Sequence, residues 1–245
     1  MTIESSNFVL FLMGPTASGK TELAIEISKI IDSTLISVDS ALIYKGMDIG
    51  TAKPDKETLK SFPHKLIDIC NPEDSFSVTE FITLAKKYIT NALNEGKLPI
   101  LVGGTSFYFN ALEHGLSALP ASTDESRKYF NNLLQKMGSE KLHEKLQEID
   151  PKSAERIHPN DSQRITRALE VYDLSGETLS ALQGNKNQNK LDLKIKKIVL
   201  MPERSELHKR IEDRFIEMIK NGFLDEVKTL RKNQKLNLDL ASMKC

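Results

Sequence analysis

The stretch FLMGPTASGKTELA, residues 11–24, decides the fold of this chain. It carries the pattern G-x-x-x-x-G-K-[ST], in which Gly14, Gly19, Lys20 and Thr21 occupy the fixed positions. An apolar run precedes the pattern and a helical pattern follows it, as in a phosphate-binding loop. Backbone N–H groups and the N-terminus of the helix would surround phosphate oxygens there. The stretch therefore predicts phosphate binding, but not which phosphate compound is bound.

Two side chains of this loop have expected roles. Lys20 would place a positive charge on the phosphates, and the Thr21 hydroxyl can ligate Mg²⁺. The competing interpretation is a chance glycine turn before a helix. Motif and context together favour the phosphate-binding loop.

The rest of the first half alternates between buried apolar runs and helical patterns. This alternation predicts an α/β fold, a P-loop NTPase-like parallel sheet flanked by helices. The predicted strands are Phe8–Met13, Leu35–Val38, Leu66–Ile69 and Leu98–Val102, and the predicted helices cover about Lys20–Ile31 and Val78–Asn94.

The pattern changes after residue 119. From Asp124 to about Ser175 it is helical throughout, and the polar segment GNKNQNK, residues 184–190, reads as a loop. KIVLMP, residues 197–202, returns to strand character, and a long helix is predicted over Ser205–Asn221. We therefore expect a core of residues 1–119 and 191–245 with an inserted all-helical subdomain of residues 120–190.

Composition restricts the classes of function. The 245 residues carry 34 basic and 34 acidic side chains, which argues against nucleic-acid binding by overall attraction alone. All arginines lie in residues 120–245, so an anionic macromolecule is expected to contact that part, although a solvated basic face explains the asymmetry equally well. The apolar run at Phe8–Met13 is too short for a membrane span and lacks the basic flank of a secretory signal. The two cysteines fit a reducing compartment, so we expect a cytoplasmic protein without a membrane segment. We also expect a monomer.

Asp39 ends the apolar segment LISVD, at the sheet edge where open α/β sheets bind ligands. It could support a Mg²⁺ shell next to the phosphate loop. A capping or turn aspartate followed by Ser40 is an equally good interpretation of the local sequence.

A second glycine turn, Gly103–Gly104–Thr105, follows the strand LPILV at the same edge. Glycine permits close approach of the backbone to a ligand, and Thr105 offers a hydroxyl there. An ordinary strand-to-helix turn is the competing interpretation.

Arg214 stands out in the helix predicted over Ser205–Asn221. The apolar row runs through Leu207 and Ile211, and the next position of that row is Arg214. A guanidinium in such a row needs an anionic partner or an exit to solvent. It either pairs with a core carboxylate, or clamps the phosphate that Lys20 holds.

Read together, these segments resemble the tRNA isopentenyltransferase family of tRNA dimethylallyltransferases. The most specific matches are SVDSALIYKGMDIGTAKP at 37–54 and IHPNDSQRITRALEVY at 157–172, whose length and order have no generic structural explanation. GPTASGKT at 14–21, PHKLIDI at 63–69, LVGGTSFYF at 101–109 and LHKRIEDRFIEMIKNGFLDEV at 207–227 also match. Family members continue past the residues that match ASMKC at 241–245 into a Gly-Tyr motif and a basic helix, so we expect a C-terminal truncation.

The resemblance implies transfer of a dimethylallyl group from dimethylallyl diphosphate to N6 of adenosine 37, beside the anticodon of tRNAs reading codons that begin with U. It implies Mg²⁺ as cofactor and the anticodon stem-loop as partner, with the helical insertion facing the tRNA. Asp39 would accept the amine proton, and Thr105 and Arg214 would help to hold the donor phosphates. The implied diphosphate-binding residues are Gly14, Pro15, Thr16, Ala17, Ser18, Gly19, Lys20 and Thr21. The implied tRNA contacts are Asp39, Ser40, Ala41, Leu42, Thr105, Arg127, Gln163, Arg164, Ile165, Thr166 and Arg167.

Two other functions stay open on the sequence. A P-loop small-molecule kinase would use ATP, with Asp39 accepting a hydroxyl proton. A tRNA-binding protein without activity would not depend on Asp39 at all.

Overall fold

The structure is a computed structural model, and it describes residues 8–183, 186–188, 190–237 and 240–244. It divides into two compact units, Met1–Glu113 with Leu191–Cys245, and His114–Lys190. The sequence analysis placed this boundary at 119/120. The structural boundary lies six residues earlier because a short strand, β5 (Leu116–Ser117), pairs with β6 (Lys186–Gln188) inside the second unit.

The first unit is built on a five-stranded parallel sheet in the order β3-β2-β4-β1-β7. Its strands are β1 (Phe8–Met13), β2 (Ser33–Val38), β3 (His64–Lys65), β4 (Leu98–Gly103) and β7 (Lys194–Val199). The helices of this unit are α1 (Lys20–Ile30), α2 (Lys56–Ser61), α3 (Val78–Asn94), α4 (Ser106–His114), α10 (Arg204–Lys220) and α11 (Phe223–Leu230), followed by a 3₁₀ turn at Ala241–Lys244. The predicted parallel α/β fold is thereby confirmed.

The central strands are buried on both faces because alternate side chains pack against different helices. Leu10 and Leu12 of β1 share an apolar cluster with Ala24 of α1. Phe11 points to the other face, where its ring lies 5.0 Å from that of Phe109 in α4. Two-sided burial explains the continuous apolar runs from which the strands were predicted.

Helix α3 agrees with its sequence prediction at both ends. Ser77 accepts the Glu80 N–H at 3.2 Å, while the Glu80 carboxylate accepts the Ser77 N–H at 2.8 Å, which completes the capping box. These reciprocal bonds satisfy two N–H groups that lack partners within the helix.

The predicted strand Leu66–Ile69 is wrong. The backbone adopts positive φ at Leu66 (67°) and Asp68 (55°), which interrupts an extended strand. Asp68 and Ile69 donate their N–H groups to carbonyls of Leu42 and Ile43 instead, so this segment pairs with the chain after β2. Strand β3 is therefore only two residues long and lies just upstream.

The second unit contains α5 (Asp124–Met137), α6 (Ser139–Ile149), α7 (Pro151–Arg156), α8 (Ser162–Ser175) and a short α9 (Leu179–Leu182). An apolar core joins them, centred on Phe130, Leu142, Leu146, Ile165 and Val171. The insertion is therefore helical as expected, with the β5–β6 pair in addition. The loop predicted over residues 184–190 includes β6, and its residues 184, 185 and 189 lie outside the described residues.

In the part of the chain that the structure describes, none of the helices is both long and apolar enough to cross a membrane.

Candidate active site

A cleft of about 1280 Å³ opens in the first unit at the carboxyl edge of the sheet. The phosphate loop between β1 and α1 lines it from Thr16 to Thr21, and Asp39, Gly103 and Gly104 line it from the ends of β2 and β4. The parallel order of these strands brings the three turns to one edge. Local sequence thus predicted the strands that carry these three turns, and their topology brings the turns together.

Lys20 lies at the start of α1 and points back over the loop. Its ammonium donates to the Pro15 carbonyl and, at 3.3 Å, to Ser18 Oγ. Burial lowers the pKa of Lys20, Asp39 raises it, and the positive charge of Arg214 lowers it again. The loop therefore holds a desolvated cation next to N–H groups, an arrangement suited to an anion.

Arg214 reaches the same loop from α10. Its Nη1 donates to Thr16 Oγ1 at 3.0 Å, and its Nη2 donates to the Ala52 carbonyl at 3.3 Å. Among the described residues no carboxylate lies within 4.0 Å of its guanidinium, so the geometry does not support the core salt bridge considered above. Burial also lowers the pKa of Arg214, whereas Glu22 and Asp39 raise it.

Asp39 forms a turn at the end of β2. Its Oδ1 accepts the N–H groups of Ala41 at 2.8 Å and Leu42 at 3.3 Å. The turn interpretation is therefore confirmed, and Asp39 also lines the cleft, as the functional interpretation requires. No described residue hydrogen-bonds to Oδ2.

Thr105 supports this loop from the neighbouring turn. Its Oγ1 accepts the Ser40 N–H at 3.1 Å, and its own N–H donates to the Val38 carbonyl at 3.2 Å. The hydroxyl thus connects the turns after β2 and β4.

The remaining predicted residues lie in the second unit. Arg127 and Arg164 are exposed, with 61% and 74% of their side-chain surface accessible, and Gln163 is exposed beside Arg164. Thr166 is half-buried and donates its hydroxyl to the Ser162 carbonyl at 2.8 Å. Ile165 is fully buried in the core of this unit, so its side chain is not available to an RNA.

Arg167 is held inside the second unit. It donates to Glu170 and to the Pro120 carbonyl, both at 2.6 Å. The buried Glu170 also accepts the hydroxyls of Ser122 and Ser126. Ser122 in turn accepts from Arg127 Nε at 3.2 Å, so this network connects Arg167 to Arg127.

Sequence reasoning missed several residues that line the cleft. Lys53 is the clearest: its side chain is 3% exposed, and its ammonium donates to the Tyr44 carbonyl (2.8 Å), Asp48 (2.6 Å) and Asp68 (2.6 Å). The signal was a lysine inside the matched segment GTAKP, but its three partners are set by tertiary structure. His64 also lines the cleft, and its Nε2 is buried without a hydrogen-bond partner among the described residues.

Comparisons with known proteins identify the family of this chain. The model of the IPP transferase family matches residues 42–245. A tRNA dimethylallyltransferase of Ruthia magnifica subsp. Calyptogena magnifica is 62% identical over the whole chain, which spans 80% of that protein.

Two solved structures are also similar. The crystal structure of the full-length tRNA isopentenylpyrophosphate transferase from Bacillus halodurans has a TM-score of 0.65 and 37% identity, covering 99% of this chain and 74% of that one. Crystallographic snapshots of a eukaryotic dimethylallyltransferase acting on tRNA give a TM-score of 0.71 at 27% identity, covering 93% and 56%. These findings favour the transferase over the kinase, and the chain belongs to the IPP transferase family.

Proposed function

We propose that this protein transfers a dimethylallyl group from dimethylallyl diphosphate to N6 of adenosine 37 in tRNAs reading codons that begin with U, and releases diphosphate. The observation that carries the proposal is the meeting of Lys20, Asp39 and Arg214 in one cleft. The names of the relatives support the same activity.

The cations of the cleft suit the leaving group. As the bond between C1 and oxygen breaks, negative charge develops on the diphosphate oxygens and positive charge on the allylic carbon. Lys20 and the N–H groups of the phosphate loop stabilise that negative charge from one side. Arg214, fixed by Thr16 and Ala52, stabilises it from the other.

The residues present fit a Mg²⁺ ion whose ligands come mainly from the donor diphosphate and from water. The Thr21 hydroxyl lines the cleft at the start of α1. The described residues contain no cluster of three or more His, Cys, Asp or Glu side chains that could hold an ion. Mg²⁺ commonly keeps its waters and takes phosphate oxygens as ligands, so Thr21 with the donor diphosphate is a sufficient site. Bound there, the ion would neutralise part of the phosphate charge.

Asp39 is placed to take the proton of the acceptor amine. An aromatic amine is a weak nucleophile whose N–H becomes strongly acidic as the new C–N bond forms. The N–H groups of Ala41 and Leu42 fix Oδ1, which leaves Oδ2 to accept this proton.

The tRNA would be bound through its backbone while the target base leaves its stack. A base inside an anticodon loop reaches a pocket only when it is unstacked. The exposed Arg127, Gln163 and Arg164 are the proposed contacts of the second unit, since arginine suits phosphate oxygens. Ser40, Ala41, Leu42 and Thr105 remain proposed contacts of the first unit.

We keep the monomer expected from the sequence as the proposed active unit. A tRNA substrate places the reaction where tRNA resides, and the cytoplasm remains the proposed location.

The test is a transfer assay with labelled dimethylallyl diphosphate, Mg²⁺ and a tRNA transcript that carries adenosine 37. We expect label in the tRNA, and none in a transcript with guanosine at that position.

Asp39→Asn should lower turnover by at least about 100-fold, the usual contribution of a general base, while pyrophosphate binding is retained. The control Asp32→Asn changes an exposed aspartate just before β2, outside the cleft-lining residues, and should leave turnover unchanged. Absence of transfer to the adenosine transcript by a version extended to the length of its relatives would refute the proposal.

A further inference from the structure

A turn formed by residues 48–53 links the cleft to the helices α10 and α11. Asp48, Ile49, Ala52 and Lys53 of this turn line the cleft. The Ala52 carbonyl accepts Arg214 Nη2 at 3.3 Å, so the turn contacts the guanidinium directly.

The turn is not an intrinsically favourable conformation. Ala52 has φ of 52°, in the left-handed region that residues with a Cβ atom rarely adopt. Two backbone bonds hold the turn internally, from the Ala52 N–H to the Ile49 carbonyl and from the Lys53 N–H to the Asp48 carbonyl, both 2.9 Å, and the Lys53 ammonium also binds Asp48. A conformation of this kind persists when its surroundings fix it.

Glu226 of α11 supplies that support from the side away from the cleft. Its Oε2 accepts the N–H groups of Asp48 and Ile49, both at 2.8 Å, and its Oε1 accepts the N–H of Gly50 at 2.9 Å. Three successive backbone donors thus converge on one carboxylate, and hydrogen bonds to an ionised acceptor are the stronger kind.

The first residue of α11 fixes the same turn by shape. A Cβ atom on Gly50 would lie 2.3 Å from the ring of Phe223, so the backbone of the turn packs directly on that ring. The turn is therefore located by α11 on one side and by Arg214 of α10 on the other.

We propose that Glu226 is a positioning residue for Arg214. By holding the N–H groups of residues 48–50, it fixes the Ala52 carbonyl, which in turn orients the guanidinium towards Thr16 and the phosphate loop. The inference deepens the proposed function and rests on it in one respect, namely that the anion held by Arg214 is the diphosphate of the prenyl donor.

The carboxylate is specifically required at this position. Glutamine has one acceptor oxygen, so Glu226→Gln turns an NH₂ group towards at least one of the three backbone donors. Glu226→Asp keeps both oxygens but shortens the side chain by one methylene, and should recover part of the effect. Asp225→Asn is the matched control, because Asp225 is the preceding residue, its side chain is 78% exposed, and it pairs with Lys228 on the surface.

The experiment measures binding of inorganic pyrophosphate with Mg²⁺ by calorimetry, for wild type, the three variants, Arg214→Ala and Arg214→Ala combined with Glu226→Gln. We expect Glu226→Gln to weaken pyrophosphate binding about tenfold, and less than about twofold when Arg214 is already absent, because the two residues then act through one contact. Asp225→Asn should bind as wild type does, and Glu226→Asp should lie in between. An equal loss from Glu226→Gln in both backgrounds, or no loss in either, would overturn the inference.

A second measurement separates this inference from the proposed function. The Nε–H resonance of Arg214 and hydrogen exchange of the amides of residues 48–50 are recorded without ligand. Glu226→Gln should shift the Arg214 resonance and speed exchange at these amides, while Asp225→Asn should change neither. If the wild type bound no pyrophosphate, the proposed function would fail. The ligand-free spectra would still test whether Glu226 positions Arg214, because an unchanged Arg214 resonance in Glu226→Gln contradicts that role.

Discussion

Replacing Lys53 by methionine tests whether a buried ammonium holds the rim of the cleft together. Methionine keeps the length and most of the volume of the side chain but removes its three hydrogen-bond donors. The ammonium binds the Tyr44 carbonyl, Asp48 and Asp68, and the side chain is 3% exposed. The substitution therefore removes the common partner of a carbonyl and two carboxylates.

The magnitude follows from the exposure of those partners. Asp48 and Asp68 have side chains 52% and 44% exposed, so water screens their charges and each lost ion pair contributes at most about 1 kcal/mol. The Tyr44 carbonyl loses its side-chain donor in the interior, which costs about 1–3 kcal/mol. We expect Lys53→Met to lower the free energy of unfolding by about 1–5 kcal/mol in total.

Urea denaturation followed by circular dichroism gives this quantity. Lys60→Met is the control, because Lys60 is an exposed lysine in the last turn of the nearby helix α2, and its replacement should change stability by less than about 0.5 kcal/mol. Equal stability losses in the two variants would refute the reasoning, since the buried contacts would then contribute nothing.

Two further changes test other parts of the first unit. Gly103→Ala should destabilise the protein by about 3 kcal/mol or more, because its Cβ would lie 2.0 Å from the Val38 carbonyl oxygen of the paired strand. The control Gly104→Ala should destabilise it much less, since the Cβ there would lie 3.3 Å from its nearest atom. Similar unfolding midpoints of the two variants would contradict this prediction. Burial lowers the pKa of His64 in the folded protein below its ordinary value of 6.5. As the pH falls, the unfolded chain therefore binds a proton at His64 before the folded protein does. The free energy of unfolding should decrease as the pH drops below 6.5, until the pKa of the folded state is passed. Urea unfolding between about pH 7.5 and about pH 5 should show this loss in the wild type and less of it in His64→Gln; parallel pH profiles would contradict it.

Local signals explain which parts of the fold could be predicted. The capping box at Ser77 and Glu80 and the phosphate-loop pattern each lie within a few residues, so the local chemistry specifies the backbone directly. The strand at Leu66–Ile69 was mispredicted because an apolar run does not reveal its partner. Its bonds to Leu42 and Ile43, and the ion pair from Lys53 to Asp68, are contacts across the fold.

The same distinction applies to the site. Lys20 and Asp39 were found because each follows a strand at a recognisable motif, and Arg214 because it interrupts an apolar row. Glu226 gives a weaker signal: it lies inside the matched segment at 207–227, but in a half-exposed helix, and its partners are backbone N–H groups more than 170 residues away in the chain. Residues that position other residues by binding their backbone leave little trace in sequence pattern.

The electrostatics of the cleft indicate what the ligand contributes. Burial lowers the pKa of both Lys20 and Arg214, and Arg214 lowers that of Lys20 further, so the two cations are poorly solvated and repel one another. Asp39 opposes this for both, and in the proposed reaction the same carboxylate accepts a proton from the amine. A diphosphate entering between the cations would remove their repulsion and leave Asp39 free for that task. In the proposed reaction, the two cations therefore repel one another in the ligand-free protein, and binding of the donor diphosphate relieves that repulsion. A stable ion-pair network differs from such a site because its charges are already neutralised before any ligand binds.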